Sequence, residues 1–476
     1  MSSFFKVWLN RLSGHTAGEA KREIHGGALM VTAARRTEGE TSIRSDGLWV
    51  GGAQVLTVVV GVAMTVLAAN LLTTEQFAAA NWLLSWLLYT AAVARFGSLQ
   101  ASTMLVASEP SHARSISAKL LFGTLTFGLA LSVVWLAFGR DLVASFVGTS
   151  AGYSAAFSVF PFWLPAAASV PLVGGLLRGL GNFRAAVVFG EYLRRGSIVL
   201  ALLWFQFGSS PVSLTAILAT AVMVEWIALV VGVWTLFRTT AGAFRPTNVD
   251  GDRAISIMKR TTDFYALSVV AVVVPQGAVW LLAFVSDDDA VSQLAVALRI
   301  SLLFVVPFAV GSRVFAPRIA RAAKAGSLAK LQPQLQLFSL LTFAVVAIGL
   351  GVTFLFGGQL IPWVFGAQFE DAWQGVLILA VGGAINTGTG LSMAVLSNSG
   401  QARIVSFGAV VTGVFFVALV LLLGGRYGTN GAALGATIAL ATQNLVMAAI
   451  STKRTGLWVG FSPSALRPER LRESIS

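Results

Sequence analysis

The chain has 476 residues, a net charge of +13, 56% hydrophobic residues, 11% charged residues and no cysteine. A soluble chain carries about 25% charged residues, so this composition, with a mean hydropathy of +0.79, excludes a soluble globular protein. The missing thiol excludes disulfides, thiolate metal sites and cysteine nucleophiles. The basic excess is spread between apolar segments rather than gathered in a block, which argues against nucleic acid as a partner.

Residues 1–46 hold no apolar run of signal-peptide length, and Glu19, Glu23, Glu38 and Glu40 argue against an organelle transit peptide. A cytoplasmic tail is expected there. Phe4, Phe5, Trp8, Leu9 and Leu12 recur at helical spacing beside Lys6 and Arg11, the pattern of a short surface helix, with a frayed end as the alternative.

Twelve apolar windows follow, each near the ~20 residues that cross hydrocarbon as helix. The first six are Leu48 to Leu72, Phe77 to Phe96, Leu120 to Phe138, Ala155 to Leu177, Ala185 to Phe207 and Leu214 to Phe237. The second six are Phe264 to Val285, Leu294 to Val310, Leu335 to Phe356, Gly375 to Leu396, Ile404 to Leu423 and Gly431 to Ile450. The polar stretch between the sets predicts an N-lobe over 47–238, a cytoplasmic linker over 239–262, a C-lobe over 263–451 and a cytoplasmic C-terminal tail over 452–476.

Lys and Arg are retained on the cytoplasmic side during insertion. With the N-tail cytoplasmic, 28 of the 33 basic residues fall on that side, Arg140 and Arg426 on the other, and Arg194, Arg195 and Arg299 inside spans. The opposite loops carry acids: Glu75, Asp141, Asp287, Asp288, Asp289, Glu370 and Asp371. At an offset of 219 residues, Gly181, Asn182 and Arg184 fall on Gly400, Gln401 and Arg403, and Phe146 falls on Phe365. Six spans per half is an even number, so the two copies have the same orientation in the membrane. The expected fold is all-α and integral to the membrane, with about twelve transmembrane helices in two six-helix lobes related by a parallel pseudo-two-fold repeat.

Four stretches carry a resemblance: Leu67-Ala-Ala-Asn-Leu-Leu72 with Glu75-Gln-Phe77; Val364-Phe-Gly366 with Phe369, Asp371 and Ala372; Ser397-Asn-Ser-Gly400; and Arg426-Tyr-Gly-Thr-Asn-Gly-Ala-Ala433. Their order along roughly residues 45 to 455 resembles the polysaccharide and lipid-linked oligosaccharide flippases of the multidrug/oligosaccharidyl-lipid/polysaccharide exporter superfamily. The usual glycine after the first aromatic is replaced by Ala78, Ala79 and Ala80. The resemblance implies a central cavity opening alternately to each side. It further implies a bacterial inner membrane, a polyisoprenyl-pyrophosphate-linked sugar as substrate, functional association with glycosyltransferases and a polysaccharide polymerase, and no cofactor.

An ionisable residue inside a bilayer usually faces a partner or a wet cavity. Arg299, Arg195, Arg194 and Arg95 are candidates for a cationic lining, since guanidinium forms paired bonds to phosphate oxygens. Glu191, three and four residues before the two arginines of span five, is the competing local partner. Glu225, deep in span six, is a candidate for ion coupling, together with Glu191, and equally a neutraliser of a span-five arginine. Asn81 and Gln276 are polar candidates for the cavity, with bonding between helices as the alternative. Pro275 is a candidate gate, because it removes a backbone bond and bends its helix. Pro161, Pro165 and Pro171 predict an irregular fourth span, Gly431, Gly435 and Ala439 a stripe for close helix packing, and Asp287 to Asp289 a solvated loop.

There is no Gly-Lys-Ser/Thr phosphate loop, so no built-in ATP motor follows. The competing functions are a cation-coupled multidrug exporter of the same superfamily, a membrane-embedded glycosyltransferase or polymerase, and a transport-inactive scaffold. The chain is not expected to be an enzyme.

Overall fold

The computed structural model describes residues 52, 56–108, 112–147, 150–207, 213–240 and 277–463. The N-terminal tail, residues 241–276 of the linker and seventh span, and the last residues from 464 lie outside the described residues, and Pro275 and Gln276 with them. Residues 53–476 belong to one compact unit.

Long apolar segments away from water must bond their own backbone, and the described residues form helices joined by short turns, with no strand among them. The first half contains α1 (Leu56–Leu71), α2 (Thr74–Arg95), α3 (Ser98–Ser108), α4 (Ala113–Val134) running into a π-turn Trp135–Gly139, and α5 (Arg140–Val147). It continues through α6 (Ala151–Gly179), α7 (Phe183–Val187), a second π-turn Val188–Tyr192, α8 (Leu193–Phe207) and α9 (Leu214–Thr239). The second half contains α10 (Asp288–Lys324), α11 (Leu328–Phe365), α12 (Ala372–Thr389), α13 (Ser392–Leu396) and α14 (Ala402–Thr455). α14 breaks at Tyr427 and Gly428, where φ reaches −130° and +54°, so it supplies the two spans expected there.

The internal repeat is visible helix by helix. Shifted by 219, α2, α4 with its π-turn, α6, residues 183–207 and α9 become 293–314, 332–358, 370–398, 402–426 and 433–458. Those ranges fall on α10, α11, α12 with α13, and the two arms of α14. Gly181 and Gly400, paired by the same offset, both have positive φ, +78° and +83°, in the turn before the fifth helix of each half. A left-handed residue costs a Cβ-bearing side chain about 1–2 kcal/mol, which explains glycine at both positions. The halves differ at Phe96 and Gly97. These adopt φ of +46° and +74° and break α2 from α3, whereas α10 runs unbroken through the matching stretch.

Each half is built around its fourth helix. α6 packs against α2, α3, α4 and α9, and α12 packs against α10, α11 and α14; α2 and α10 pack together across the halves. α6 runs continuously from Ala151 to Gly179 despite its three prolines, correcting the expected irregularity. Pro161 deprives the Phe157 carbonyl of its helical donor, and the Trp135 indole N–H supplies one at 3.2 Å. Small residues let the backbones approach. A Cβ on Gly174 would lie 2.9 Å from Gly190 Cα, and Gly175 and Gly179 face Ser102 and Thr103 of α3. In the second half the Gly431 and Gly435 stripe packs the second arm of α14 onto the first.

Two further expectations change. The loop between spans two and three contains α3, whose 11 residues are too few to register as a span. α10 and α11, with 37 and 38 residues, are about 56 Å long. The hydrocarbon layer is only ~30 Å thick, so their polar ends project beyond the apolar windows. At the end of α14, Gln332 and Gln336 hold the Trp458 carbonyl at 3.0 and 2.8 Å, folding the following residues against α11.

A leucine at Gly435 would place its Cβ 2.8 Å from the Leu419 backbone, and such overpacking costs about 1–3 kcal/mol. Gly435→Leu is expected to lower the thermal unfolding midpoint by several degrees in detergent. Gly351→Leu, whose Cβ position meets nothing within 4 Å, is expected to leave it unchanged.

Candidate functional site

The loops rich in acids gather at one end of the molecule, and there the two halves are fastened together. Thr73 opens α2 with a capping box: its hydroxyl accepts from the Gln76 N–H, and the Gln76 side chain accepts from the Thr73 N–H. Just before that turn, Asn70 Nδ2 donates to Val66 of its own helix at 2.8 Å and to the Val364 carbonyl of the other half at 3.2 Å. α11 stops at Gly366, with φ of +109°, and the following 3-10 turn presents Gln368. Gln368 Nε2 donates to the Ala69 carbonyl at 3.2 Å, and Gln293 of α10 holds the Gln368 carbonyl at 2.8 Å. Phe77 and Phe369, both 1% exposed, meet edge to face at 5.2 Å between centroids.

A second fastening lies beside the first. The Tyr153 hydroxyl in the first turn of α6 donates to Asp288 Oδ1 at 2.9 Å, while Glu75 of α2 accepts the Gly152 N–H at 3.0 Å. Asp287 is the N-cap of α10, accepting from the Ala290 N–H at 2.8 Å. The run Asp287 to Asp289 is therefore a helix start and not the solvated loop expected. Unbonded N–H groups and the positive end of the helix dipole favour acids there. Thr429 and Asn430, beyond the break in α14, tie to the Ala290 carbonyl at 2.9 Å and Gln374 Oε1 at 2.6 Å. Three of the stretches that carried the sequence resemblance thus converge on this closure.

Deeper along α2 the contact becomes aromatic. Trp82 stacks on Trp86 at 6.0 Å, and Trp280 meets Trp86 at 5.2 Å and Tyr89 at 5.4 Å. The indole nitrogens of Trp82, Trp86 and Trp280 are buried without a hydrogen-bond partner among the described residues. The sequence reading missed Tyr153, Gln293, Gln368 and Trp280. Its one available signal was the aspartate run directly before an apolar window, the mark of a helix N-terminus.

The residues singled out from sequence fall into separate places. Arg299 lies eleven positions into α10 and is half-buried; Arg95 is the last residue of α2 and 8% exposed. Helical rise puts them about 16 and 31 Å from the starts of their helices, at different depths. Asn81 does not share a site with either. Its amide donates to the Phe77 carbonyl at 2.9 Å, and it lines a cavity of about 40 Å³ inside the first half with Thr65, Trp163 and Ala221. That volume admits a water and excludes a sugar. Glu225, one turn beyond Ala221 and 1% exposed, accepts the Trp163 indole N–H at 3.0 Å, so Trp163 stands between the cavity and the carboxylate. Glu191 falls in the π-turn Val188–Tyr192, which interrupts the helical register assumed for its pairing with Arg194 and Arg195. The side chains of those three residues lie outside what the structure describes.

No family model and no curated protein matches the chain. Solved structures do. A multidrug resistance MATE family transporter of the MOP superfamily in its inward-facing conformation overlaps with a TM-score of 0.68 at 16% identity, covering 84% of this chain and 94% of that one. The lipid II flippase MurJ in an inward closed conformation gives 0.64 at 15% identity, covering 89% of each chain. An outward-facing MATE transporter of the same superfamily gives 0.59 at 15% identity, covering 86% of this chain and 94% of that one. The chain is a multi-pass membrane protein with the fold shared by MATE and MurJ transporters of the multidrug/oligosaccharidyl-lipid/polysaccharide exporter superfamily.

Proposed function

We propose that the protein is a flippase that moves a polyisoprenyl-pyrophosphate-linked oligosaccharide from the cytoplasmic to the outer leaflet of a bacterial inner membrane, supplying exopolysaccharide, capsule or O-antigen assembly. The observation that carries this reading is the closure: equivalent halves fastened at one end by a few hydrogen bonds and aromatic contacts. Each such bond contributes about 1 kcal/mol net. Closed and open arrangements then differ by an amount that differential substrate binding can overcome. The acidic end is the outer one and both termini are cytoplasmic, because the opposite loops hold the basic residues. Arg299 and Arg95 supply positive charge at two depths for a pyrophosphate passing between the halves. Glu225 beside the water-sized cavity is the group through which a proton gradient couples. Glycosyltransferases on the cytoplasmic side and a polymerase outside are the functional partners.

A second reading, cation-coupled export of drugs, draws on the aromatic cluster of Trp86, Tyr89 and Trp280. The faces of aromatic rings attract organic cations. Deleting the gene and treating intact spheroplasts with a glycosidase separates the two. Shielded accumulation of the lipid-linked oligosaccharide, reversed by the intact gene and at least tenfold less well by Arg299→Ala, is the outcome expected. Normal arrival in the outer leaflet with new sensitivity to cationic dyes selects the drug exporter.

The closure has its own test. Because the chain has no cysteine, a single Ala69→Cys label at this 1% exposed position has no background. Adding Tyr153→Phe removes a hydrogen bond to a charged acceptor, about 1.5–3 kcal/mol. Labelling by a membrane-impermeant maleimide is expected to accelerate about tenfold or more. An unchanged rate would show that this bond does not hold the outer side shut.

A further inference from the structure

Four acids from the two halves meet at the closure, and their surroundings differ. Glu75 accepts the Gly152 N–H in the first turn of α6, and Asp287 accepts the Ala290 N–H in the first turn of α10. A backbone donor at the positive end of a helix favours the charged carboxylate in both. Asp289 is exposed, and water solvates its charge. Asp288 is the one enclosed between the halves. It is half-buried, it accepts the hydroxyl of the wholly buried Tyr153 at 2.9 Å, and it feels the like charge of Glu75, Asp287 and Asp289.

No cation offsets that charge. The acid-rich side of the chain has two basic residues, Arg140 and Arg426. The Arg426 guanidinium lies over its neighbour Tyr427 at 5.8 Å, and among the described residues neither arginine pairs with Asp288. The remaining acids of this end, Asp141 of α5 and Glu370 and Asp371 before α12, are exposed to water.

Burial raises the Asp288 carboxyl above the ordinary aspartate range; the Tyr153 bond opposes that shift, and the charges of Glu75, Asp287 and Asp289 add to it. When the halves part, water reaches the same group and the shift relaxes. The closed arrangement therefore binds a proton at Asp288 more tightly than the open one, and by linkage the proton favours closure. That contribution is complete at a pH below the ordinary aspartate range and is lost as pH rises through the raised value.

We propose that Asp288 is a proton sensor for the outer closure: a proton taken from the outer side holds the halves together, and its loss to that side frees them to part. The proton enters and leaves by the same side. The switch therefore sets the balance of closed and open forms without moving protons across the membrane, unlike the coupling assigned to Glu225. The proposal rests on the reading of this contact as the outer closure of a flippase.

The test uses the full chain in vesicles of phosphatidylethanolamine and phosphatidylglycerol. The chain has no cysteine, so Ser145→Cys on α5 and Gln359→Cys on α11, both exposed, carry a single pair of spin labels at the closed end. The distance between them is measured from about pH 4, near the ordinary aspartate value, to about pH 8. The long-distance population is expected to grow about fivefold or more over that range, and to stay small throughout in Asp288→Asn, which fixes the neutral form. Glu225→Gln is expected to keep the change. Tyr153→Phe guards against misfolding of the aspartate variant: a hydrogen bond to a charged acceptor is the stronger one, so its loss should open the molecule more at the alkaline end than at the acid end. A distance distribution that ignores pH, or a change that survives intact in Asp288→Asn, overturns the proposal.

Flipping of a lipid-linked oligosaccharide in the same vesicles separates the two readings. A pH-dependent distance, abolished by Asp288→Asn, in a protein that does not flip supports the sensor and overturns the flippase reading. Flipping by a protein whose distances ignore pH overturns the sensor and leaves the flippase reading standing.

Discussion

A peptide group in hydrocarbon has no water to bond, and the architecture of this chain follows from how each segment meets that demand. Helix satisfies most of it locally. The exceptions are informative, because three prolines in α6 would leave carbonyls unbonded in the most enclosed helix of the first half. There Trp135 reaches across from the end of α4 to the carbonyl that Pro161 strands. The Gly128 backbone passes so close that a Cβ would lie 3.1 Å from Pro165 Cα. The prolines are tolerated because the neighbours are shaped to them.

The same demand makes close approach of backbones the main source of cohesion, since lipid tails compete for apolar side chains as well as other helices do. Glycine and small hydroxyl residues lie where α6 meets α3 and the fifth span, and where the two arms of α14 meet. These crossings fasten helices within a half. Among the described residues the halves share an apolar core, and beside it run side-chain amides, a tyrosine–aspartate pair and edge-to-face rings.

The buried polar groups of the first half are distinct from the contact between halves. Trp163, wholly buried, bonds Glu225 and also walls the cavity that Asn81 lines. That space admits a guest no larger than water. The aromatic ladder from Trp82 to Trp280 belongs instead to the contact between halves.

The sequence by itself determined the membrane class, the helical spans and the repeat, because hydrophobic length and basic asymmetry are properties of the chain read in one dimension. Even the offset of 219 residues carried through every comparable helix. It also found the stretches around Asn70, Phe369 and Thr429, though not that they touch. Only the tertiary structure decided that Tyr153 meets Asp288, that Gln368 bridges to Ala69, and that Asn81 faces a water-sized space. Those pairings join residues up to 299 positions apart, and no local periodicity encodes which loop end meets which. The π-turn at Val188–Tyr192 was hidden for a related reason: one additional residue per turn leaves composition unchanged while rotating everything beyond it.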